Sequence, residues 1–301
     1  MGGTHSIVQA FITFVMEKRK QGVKDPVLLV AESTHYAFDK AGELCNARLI
    51  KVPCDPVTRA LSLVELKKHI NWYGAHNIAG IGASAPNFPT GIMDDIQGVS
   101  KIAEENGIPF HVDACLGGFI NLFYEDIVAD FRCPGVTSIS IDPHKYGLTG
   151  KGLSILVFKK SAGITSTMEY LNHPAGLYVT PGISGTTRGE SVLEMYAMLT
   201  TLGKDEWMKI SRSIIQTSRH LGAEINKIPG LKTIGNVEEL TCVVAVELDH
   251  DHYKGKKGKF RAPNLHSVTD ALTDKLGSSL QYIPEGFHLT VCSTHANSPV
   301  Y

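Results

Sequence analysis

Six short apolar runs, separated by stretches of helical character, dominate the first half of this chain. They are Val27-Leu-Leu-Val-Ala31, Ala47-Arg-Leu-Ile-Lys-Val52, Ile78-Ala-Gly-Ile-Gly-Ala83, Pro109-Phe-His-Val-Asp113, Ser138-Ile-Ser-Ile141 and Leu153-Ser-Ile-Leu-Val-Phe158. Strands that alternate with helices, here Asp94 to Asn106 among them, predict an α/β fold with a mostly parallel sheet. In such sheets chemistry gathers at the carboxyl ends of the strands. His35, Ser84, Asp113 and the pair His144-Lys145 all fall just past such ends.

The pattern changes near Gly189. A long helical stretch covers Gly189 to Ile228, with a break expected at Gly203. A strand over Thr241–Leu248, a helix near Leu265 to Leu276 and a strand over Phe287–Cys292 follow. Two domains are therefore expected: residues 1–188 as the large α/β domain, and residues 189–301 as a smaller α+β domain. A further helix is expected over residues 4–20, opened by Gly2-Gly3-Thr4.

Composition narrows the function. The 301 residues are 43% hydrophobic and 20% charged, with a net charge of -1, which fits a globular protein and gives no general basic surface for nucleic acid. The local run Lys254-Gly-Lys-Lys-Gly-Lys259 reads as a solvated loop. None of the six cysteines forms a C-x-x-C pair, so neither a zinc site nor a compact disulfide framework is expected, and a reducing cytoplasmic setting fits. Cys115, near Asp113, reads as a small buried residue rather than a nucleophile. No stretch approaches the roughly 20 apolar residues that a membrane span needs. Ile7 to Met16 is apolar, but its charges, Glu17-Lys-Arg-Lys20, follow rather than precede it, the wrong polarity for a signal peptide. Met1-Gly-Gly-Thr-His-Ser6 also matches a myristoylation pattern, against which a phosphate-binding reading is preferred.

The chemistry-bearing residues point to pyridoxal phosphate (PLP). Lys145 follows a short apolar strand, and its amine suits condensation with the cofactor aldehyde. Asp113 ends an earlier strand beside Gly117-Gly118. A buried carboxylate there needs a cation, either the protonated pyridine nitrogen or an Arg or Lys. Gly2-Gly3-Thr4 runs into a helix, where backbone amides, a hydroxyl and the helix dipole favour an anion. The same run reads equally as a plain N-cap by Thr4. His35 is placed to stack on a pyridine face or to serve the fold. His144 is placed to move protons or to contact a phosphate. Ser84-Ala-Pro-Asn-Phe-Pro-Thr-Gly91 reads as a shaped loop beside a ligand or as an ordinary turn. Arg188, in the Gly- and hydroxyl-rich run Gly176 to Gly189, suits a phosphate or carboxylate, or solvent.

Taken together, Gly2-Gly-Thr-His-Ser-Ile7, Ser33-Thr-His-Tyr-Ala-Phe-Asp-Lys40, Asn87-Phe-Pro-Thr-Gly91, His111-Val-Asp-Ala-Cys-Leu-Gly-Gly-Phe119, Asp130-Phe-Arg132, Gly135-Val-Thr-Ser-Ile-Ser140, His144-Lys-Tyr-Gly147 and Gly176 to Gly189 resemble the group II PLP-dependent decarboxylase family. Within it they resemble the sphingosine-1-phosphate lyase branch. The resemblance implies an aspartate aminotransferase-like (fold type I) large domain. It implies that Lys145 holds the cofactor, Asp113 pairs with the pyridine nitrogen, His35 stacks on the ring, and Gly3, Thr4 and His144 meet the cofactor phosphate. Ser84 joins the cofactor site. Gly185 and Thr186 would approach the site of a partner subunit in a homodimer. Arg188 and Lys151 are the substrate-phosphate candidates. The implied reaction is retro-aldol cleavage of a phosphorylated long-chain base to a long-chain aldehyde and phosphoethanolamine, with Lys145 or His144 as the base. An amino-acid decarboxylase and a shortened, non-catalytic relative are the alternatives.

The sequence departs from the family at several points. His5 stands where Glu is usual, Thr186-Thr-Arg-Gly189 where Ser-Arg-Pro-Gly is usual, and Gly150-Lys-Gly-Leu153 where Pro-Lys-Gly-Ser is usual. Thr90 takes a position often held by His. Family members also carry a segment before the phosphate loop, with a membrane anchor in eukaryotic lyases, and this chain starts at the loop. The chain as written is therefore expected in the cytoplasm, with membrane association only through such a segment.

Overall fold

A computed structural model describes residues 2–159, 168–170, 174, 176–180, 182–185, 188–253, 281–283 and 286–290. The chain opens with helix α1 (Gly3–Lys20). Its apolar residues Ile7, Phe11 and Phe14 recur at helical spacing and are buried. Lys18, Arg19 and Lys20 sit in the last turn, where the helix dipole favours cations. Strand β1 (Val27–Ala31), helix α2 (Ala37–Leu44), strand β2 (Arg48–Val52) and helix α3 (Leu63–Tyr73) follow. The Ser62 side chain caps α3, accepting the Glu65 amide at 3.3 Å. Next come β3 (Ile78–Ser84), α4 (Ile96–Glu105), β4 (Phe110–Ala114), α5 (Gly118–Asn121), β5 (Val136–Ile141), α6 (Pro143–Tyr146) and β6 (Ile155–Phe158).

The first six strands form one sheet, in the order β2-β1-β3-β4-β5-β6. All its pairs are parallel except β5 with β6. The strand order reverses between β1 and β3. A crevice opens outside the carboxyl ends of the strands at such a reversal. One face of the sheet packs on α3 and α4, through Leu29, Ile81 and Val112 against Leu66, Val99 and Ile102. The other packs on α1 and α2, through Leu28 and Val30 with Phe11, Phe14 and Phe38. Close approach of α1 depends on β3 having no side chain at two positions. A Cβ on Gly80 would lie 2.6 Å from the Phe14 ring. One on Gly82 would lie 2.5 Å from Phe38 and 3.0 Å from Phe11.

Beyond this sheet lie the hairpin β7 (Met168–Tyr170) and β8 (Tyr178–Thr180), then α7 (Gly189–Ile225). The expected break in α7 is present: Gly203 takes φ 69°, which favours glycine. Strands β9 (Leu231–Thr233) and β10 (Val243–Leu248), helix α8 (His250–Tyr253), and strands β11 (Gln281–Ile283) and β12 (Gly286–Thr290) complete the described chain. These four strands form an antiparallel sheet, β11-β12-β10-β9. A third apolar cluster ties the two sheets together: Trp207 and Ile214 of α7 meet Phe119 and Ile120 of α5, Tyr146 of α6, and Val244 and Val246 of β10.

The α/β class and the mostly parallel sheet match the expectation. Helices α2 and α3, the β7–β8 hairpin, β9 and β11 are additions to it. The expected helix at 265–276 and the basic run 254–259 lie outside the described residues. No described helix is long and apolar enough to cross a membrane, and no metal-ligating cluster occurs among the described residues.

Candidate active site

At the strand-order reversal, a cavity of about 350 Å³ is lined by residues from five segments. The start of α1 supplies Gly2, Gly3 and Thr4. The turn after β1 supplies His35, and the loop after β3 supplies Pro86 and Phe88. The end of β4 supplies Asp113 and Cys115, and the β5–α6 junction supplies Asp142, His144 and Lys145. Each segment follows a strand of the parallel sheet or begins a helix packed on it. Segments distant in sequence therefore converge at one end of the sheet.

Lys145 sits on α6, a single turn that starts at Pro143, a residue suited to the first helical position. Its ammonium lies 3.1 Å from Asp142 Oδ2. Burial pulls the Lys145 pKa down, but the charges of Cys115, Asp142 and Asp113 and the hydrogen bond to Asp142 outweigh it and raise the value. Burial also raises the Cys115 thiol well above its ordinary value. The reading of Cys115 as a small buried residue agrees with this.

Asp113, the penultimate residue of β4, is 7% exposed and pairs in register with Ser84 on β3 and Ser140 on β5. Its Oδ1 accepts the Cys115 amide at 3.0 Å and the Ser140 hydroxyl at 3.4 Å. Behind it, His111 is fully buried between Ser138 (2.8 Å) and Ser140 (3.1 Å). Burial pulls the His111 pKa down to about 3, so the ring is neutral.

His35 accepts the Ala37 amide on Nδ1 at 3.1 Å, which leaves the hydrogen on Nε2. Burial lowers its pKa, which favours the neutral ring. Phe88 meets it edge-on at 6.3 Å, and Tyr36 stacks against it at 5.0 Å. His144 hydrogen-bonds the Leu153 carbonyl through Nδ1. A carbonyl only accepts, so Nδ1 carries the hydrogen, and in the neutral ring Nε2 is the acceptor. That Nε2 lies 3.7 Å from Asp142 Oδ2.

At the α1 end, Gly2 is the flanking residue, and no side chain caps the first turn. Thr4 lies inside the helix, which removes its reading as a plain N-cap and leaves the first amides open to an anion. Gly3 is required sterically: a Cβ there would lie 2.5 Å from Asp142 Oδ2 and 2.6 Å from Cys115 Sγ.

The structure thus brings Lys145, His144, Asp113, His35, Gly3 and Thr4 together. It does not bring Ser84, Gly185, Lys151 or Arg188 to the cavity wall. Ser84 is buried at the end of β3 with its amide on Asp94 at 2.8 Å, while Gly185, Lys151 and Arg188 are exposed. Thr186 lies outside the described residues. The neighbouring loop is tied to α1: the Ile183 amide donates to Gln9 at 2.8 Å, and Ser184 meets His5 at 3.2 Å. Asp142 and Phe88 were missed as site residues, although both lie in the runs Ile141-Asp-Pro-His-Lys145 and Asn87-Phe-Pro89.

A lysine, a buried carboxylate, a neutral imidazole and an open helix N-terminus around one cavity define a protein built to hold a carbonyl cofactor with an anionic tail. The chain belongs to the pyridoxal-dependent decarboxylase family, whose conserved domain matches residues 7–246. It is 38% identical over 304 residues to a probable sphingosine-1-phosphate lyase of Legionella pneumophila, covering 99% of this chain and 49% of the relative. It is 33% identical to the sphingosine-1-phosphate lyase of Saccharomyces cerevisiae, over 91% of this chain and 45% of that one. Among solved structures it resembles a sphingosine-1-phosphate lyase of Burkholderia pseudomallei, with TM-score 0.85 and 28% identity, covering 100% of this chain and 66% of that one. A glutamate decarboxylase of Lactobacillus brevis shares the fold, with TM-score 0.81 and 20% identity, over 97% of this chain and 69% of that one. The chain spans about half the length of the curated relatives it matches.

The family's cofactor is pyridoxal phosphate, and the residues present fit it. The cavity offers an amine for the aldehyde, an acceptor for the ring N–H, a ring to stack on and an uncapped helix start for the phosphate.

Proposed function

We propose that this chain forms the cofactor site of a carbon–carbon lyase that cleaves phosphorylated long-chain bases such as sphingosine 1-phosphate. The products are a long-chain aldehyde and phosphoethanolamine. The observation that carries this reading is the convergence of Lys145, Asp113, His35 and the α1 N-terminus on one cavity. The names of its relatives, which match over almost the whole chain, support the substrate class.

Pyridoxal phosphate, when bound, supplies a protonated ring that takes up the electron pair left when a bond at the amine-bearing carbon breaks. The chain's residues do the rest. Lys145 would hold the cofactor through its amine. Asp113 would keep the proton on the ring nitrogen, with its carboxylate oriented by the Cys115 amide and Ser140. His35 would support the ring, and Gly3 and Thr4 would hold the phosphate. His144, with Nδ1 engaged by Leu153, presents Nε2 to accept the proton of the substrate hydroxyl. Lys145, protonated beside Asp142, is the matching donor.

The working unit in this reading is a homodimer. Its support is an exposed apolar stripe on α7: Val192, Leu193, Tyr196 and Leu199 are 60%, 68%, 67% and 42% exposed. The same reading assigns Gly185 to the partner's site, and Arg188 and Lys151 to the substrate phosphate. The division at 188/189 belongs to the same reading.

The test is aldehyde release from sphingosine 1-phosphate by the full chain with added pyridoxal phosphate, beside carbon dioxide release from glutamate and aromatic amino acids. Aldehyde release alone is expected. Carbon dioxide release without aldehyde would replace the lyase reading with an amino-acid decarboxylase.

A further inference from the structure

Asp142 is a buried acid that the mechanism above leaves without a task of its own. It is 2% exposed. Oδ2 lies 3.1 Å from Lys145 Nζ and 3.7 Å from His144 Nε2, and Oδ1 has no hydrogen-bond partner. The residue flanks the start of α6, yet its side chain makes no capping bond there. Local helix chemistry therefore does not explain it. Gly3, at the α1 N-terminus, packs directly on the carboxylate.

A carboxylate taken out of water needs a cation. The Asp142 carboxylate is buried, and Lys145, whose side chain is 36% exposed, reaches in from the cavity to supply that cation. We propose that Asp142 is a positioning residue: it holds the Lys145 amine as an ammonium, inside the site, whenever that amine is not joined to another molecule. The inference rests on the reading of Lys145 as the cofactor lysine.

The other groups facing Lys145 do not remove the need for it. Asp113 and Cys115 come from the β4 end, His35 from the turn after β1, and His144 from α6 itself. The thiol is neutral, and burial favours a neutral His35. Asp142 is the acid with a direct ion pair to Nζ among the described residues. A lysine held this way stays within the cavity after release, and it carries the proton that the proposed cycle requires of it.

The test uses the full chain without cofactor, so its readout is independent of turnover. Lysines are acylated with limiting acetic anhydride from neutral to strongly alkaline pH, and each site is quantified by peptide mass spectrometry. In the unaltered chain, the Lys145 midpoint is expected above the ordinary lysine value. Asp142→Asn is expected to lower it and to speed acylation of Lys145 near neutral pH by about tenfold, the factor for one pKa unit. Asp142→Glu is expected to restore the higher midpoint. An ordinary or low Lys145 midpoint in the unaltered chain overturns the proposal, whether or not the Asn variant folds. So does a folded Asn variant whose Lys145 titrates as before. Failure of the lyase reading would show separately, as a chain that gains no cofactor absorbance while Lys145 still titrates high.

Discussion

His111 and Asp94 are buried groups whose ionisation pulls the fold in opposite directions. Burial takes the His111 pKa from 6.5 down to about 3. Between those values the unfolded chain binds a proton that the folded chain does not. Stability therefore falls with acid, by on the order of 1.4 kcal/mol per pH unit. Asp94 is fully buried and accepts the Leu61 and Ser84 amides at 2.7 and 2.8 Å, and burial raises its pKa from 3.8 to about 6. Between those values the folded chain binds the extra proton, so stability rises with acid. The two slopes oppose each other from about pH 6 to pH 4. Replacing His111 with Gln leaves the Asp94 slope alone. The variant is expected to gain stability, relative to the unaltered chain, as pH falls from about 6 to about 4. Urea midpoints at the two pH values check this, and parallel curves would contradict it. Lys145 and Asp113 were legible in the sequence because few reactions require a lysine and an aspartate after neighbouring strands. Asp142 was not. An acid before a proline reads as a helix flank; its ion partners Lys145 and His144 stand beside it in the chain, but Gly3, which packs on the carboxylate, lies on α1, more than a hundred residues away.

At the scale of elements, the site depends on how deeply α1 seats on β3. Gly80 and Gly82 admit the rings of Phe14, Phe11 and Phe38, which are buried and have nowhere to move. Gly82→Ala is therefore expected to cost about 1–3 kcal/mol by overpacking. It should also weaken pyridoxal phosphate binding, because the displaced helix carries Gly3 and Thr4. Thermal denaturation and cofactor titration check both effects. An unchanged affinity in a destabilised variant would separate α1 seating from the phosphate site. The strands of the parallel sheet were readable because each is a short apolar run. Helix α3 also carries a start signal in Ser62-Leu-Val-Glu65, a capping-box pattern of which the Ser62 half forms. Helix α2 has only eight residues, and the three-residue strands β9 and β11 are too short for periodicity to show. Their pairing is set by the partner strand, not by their own sequence.

At the scale of the whole molecule, two sheets share the cluster around Trp207, and one end of the parallel sheet gathers the candidate catalytic groups. The apolar stripe on α7 is the surface through which a second copy would join in the proposed dimer, and Tyr196→Glu places a charge at its centre. That variant is expected to shift the chain toward monomer by sedimentation, with little effect on monomer stability, since Tyr196 is 67% exposed. The central claim is that Lys145 is the residue that takes the cofactor. The most direct measurement is borohydride reduction of the full chain mixed with pyridoxal phosphate, followed by peptide mapping of the modified lysine. Stoichiometric pyridoxyl label on Lys145, lost in Lys145→Ala, is the expected result. A folded chain labelled elsewhere, or not labelled at all, would contradict the account.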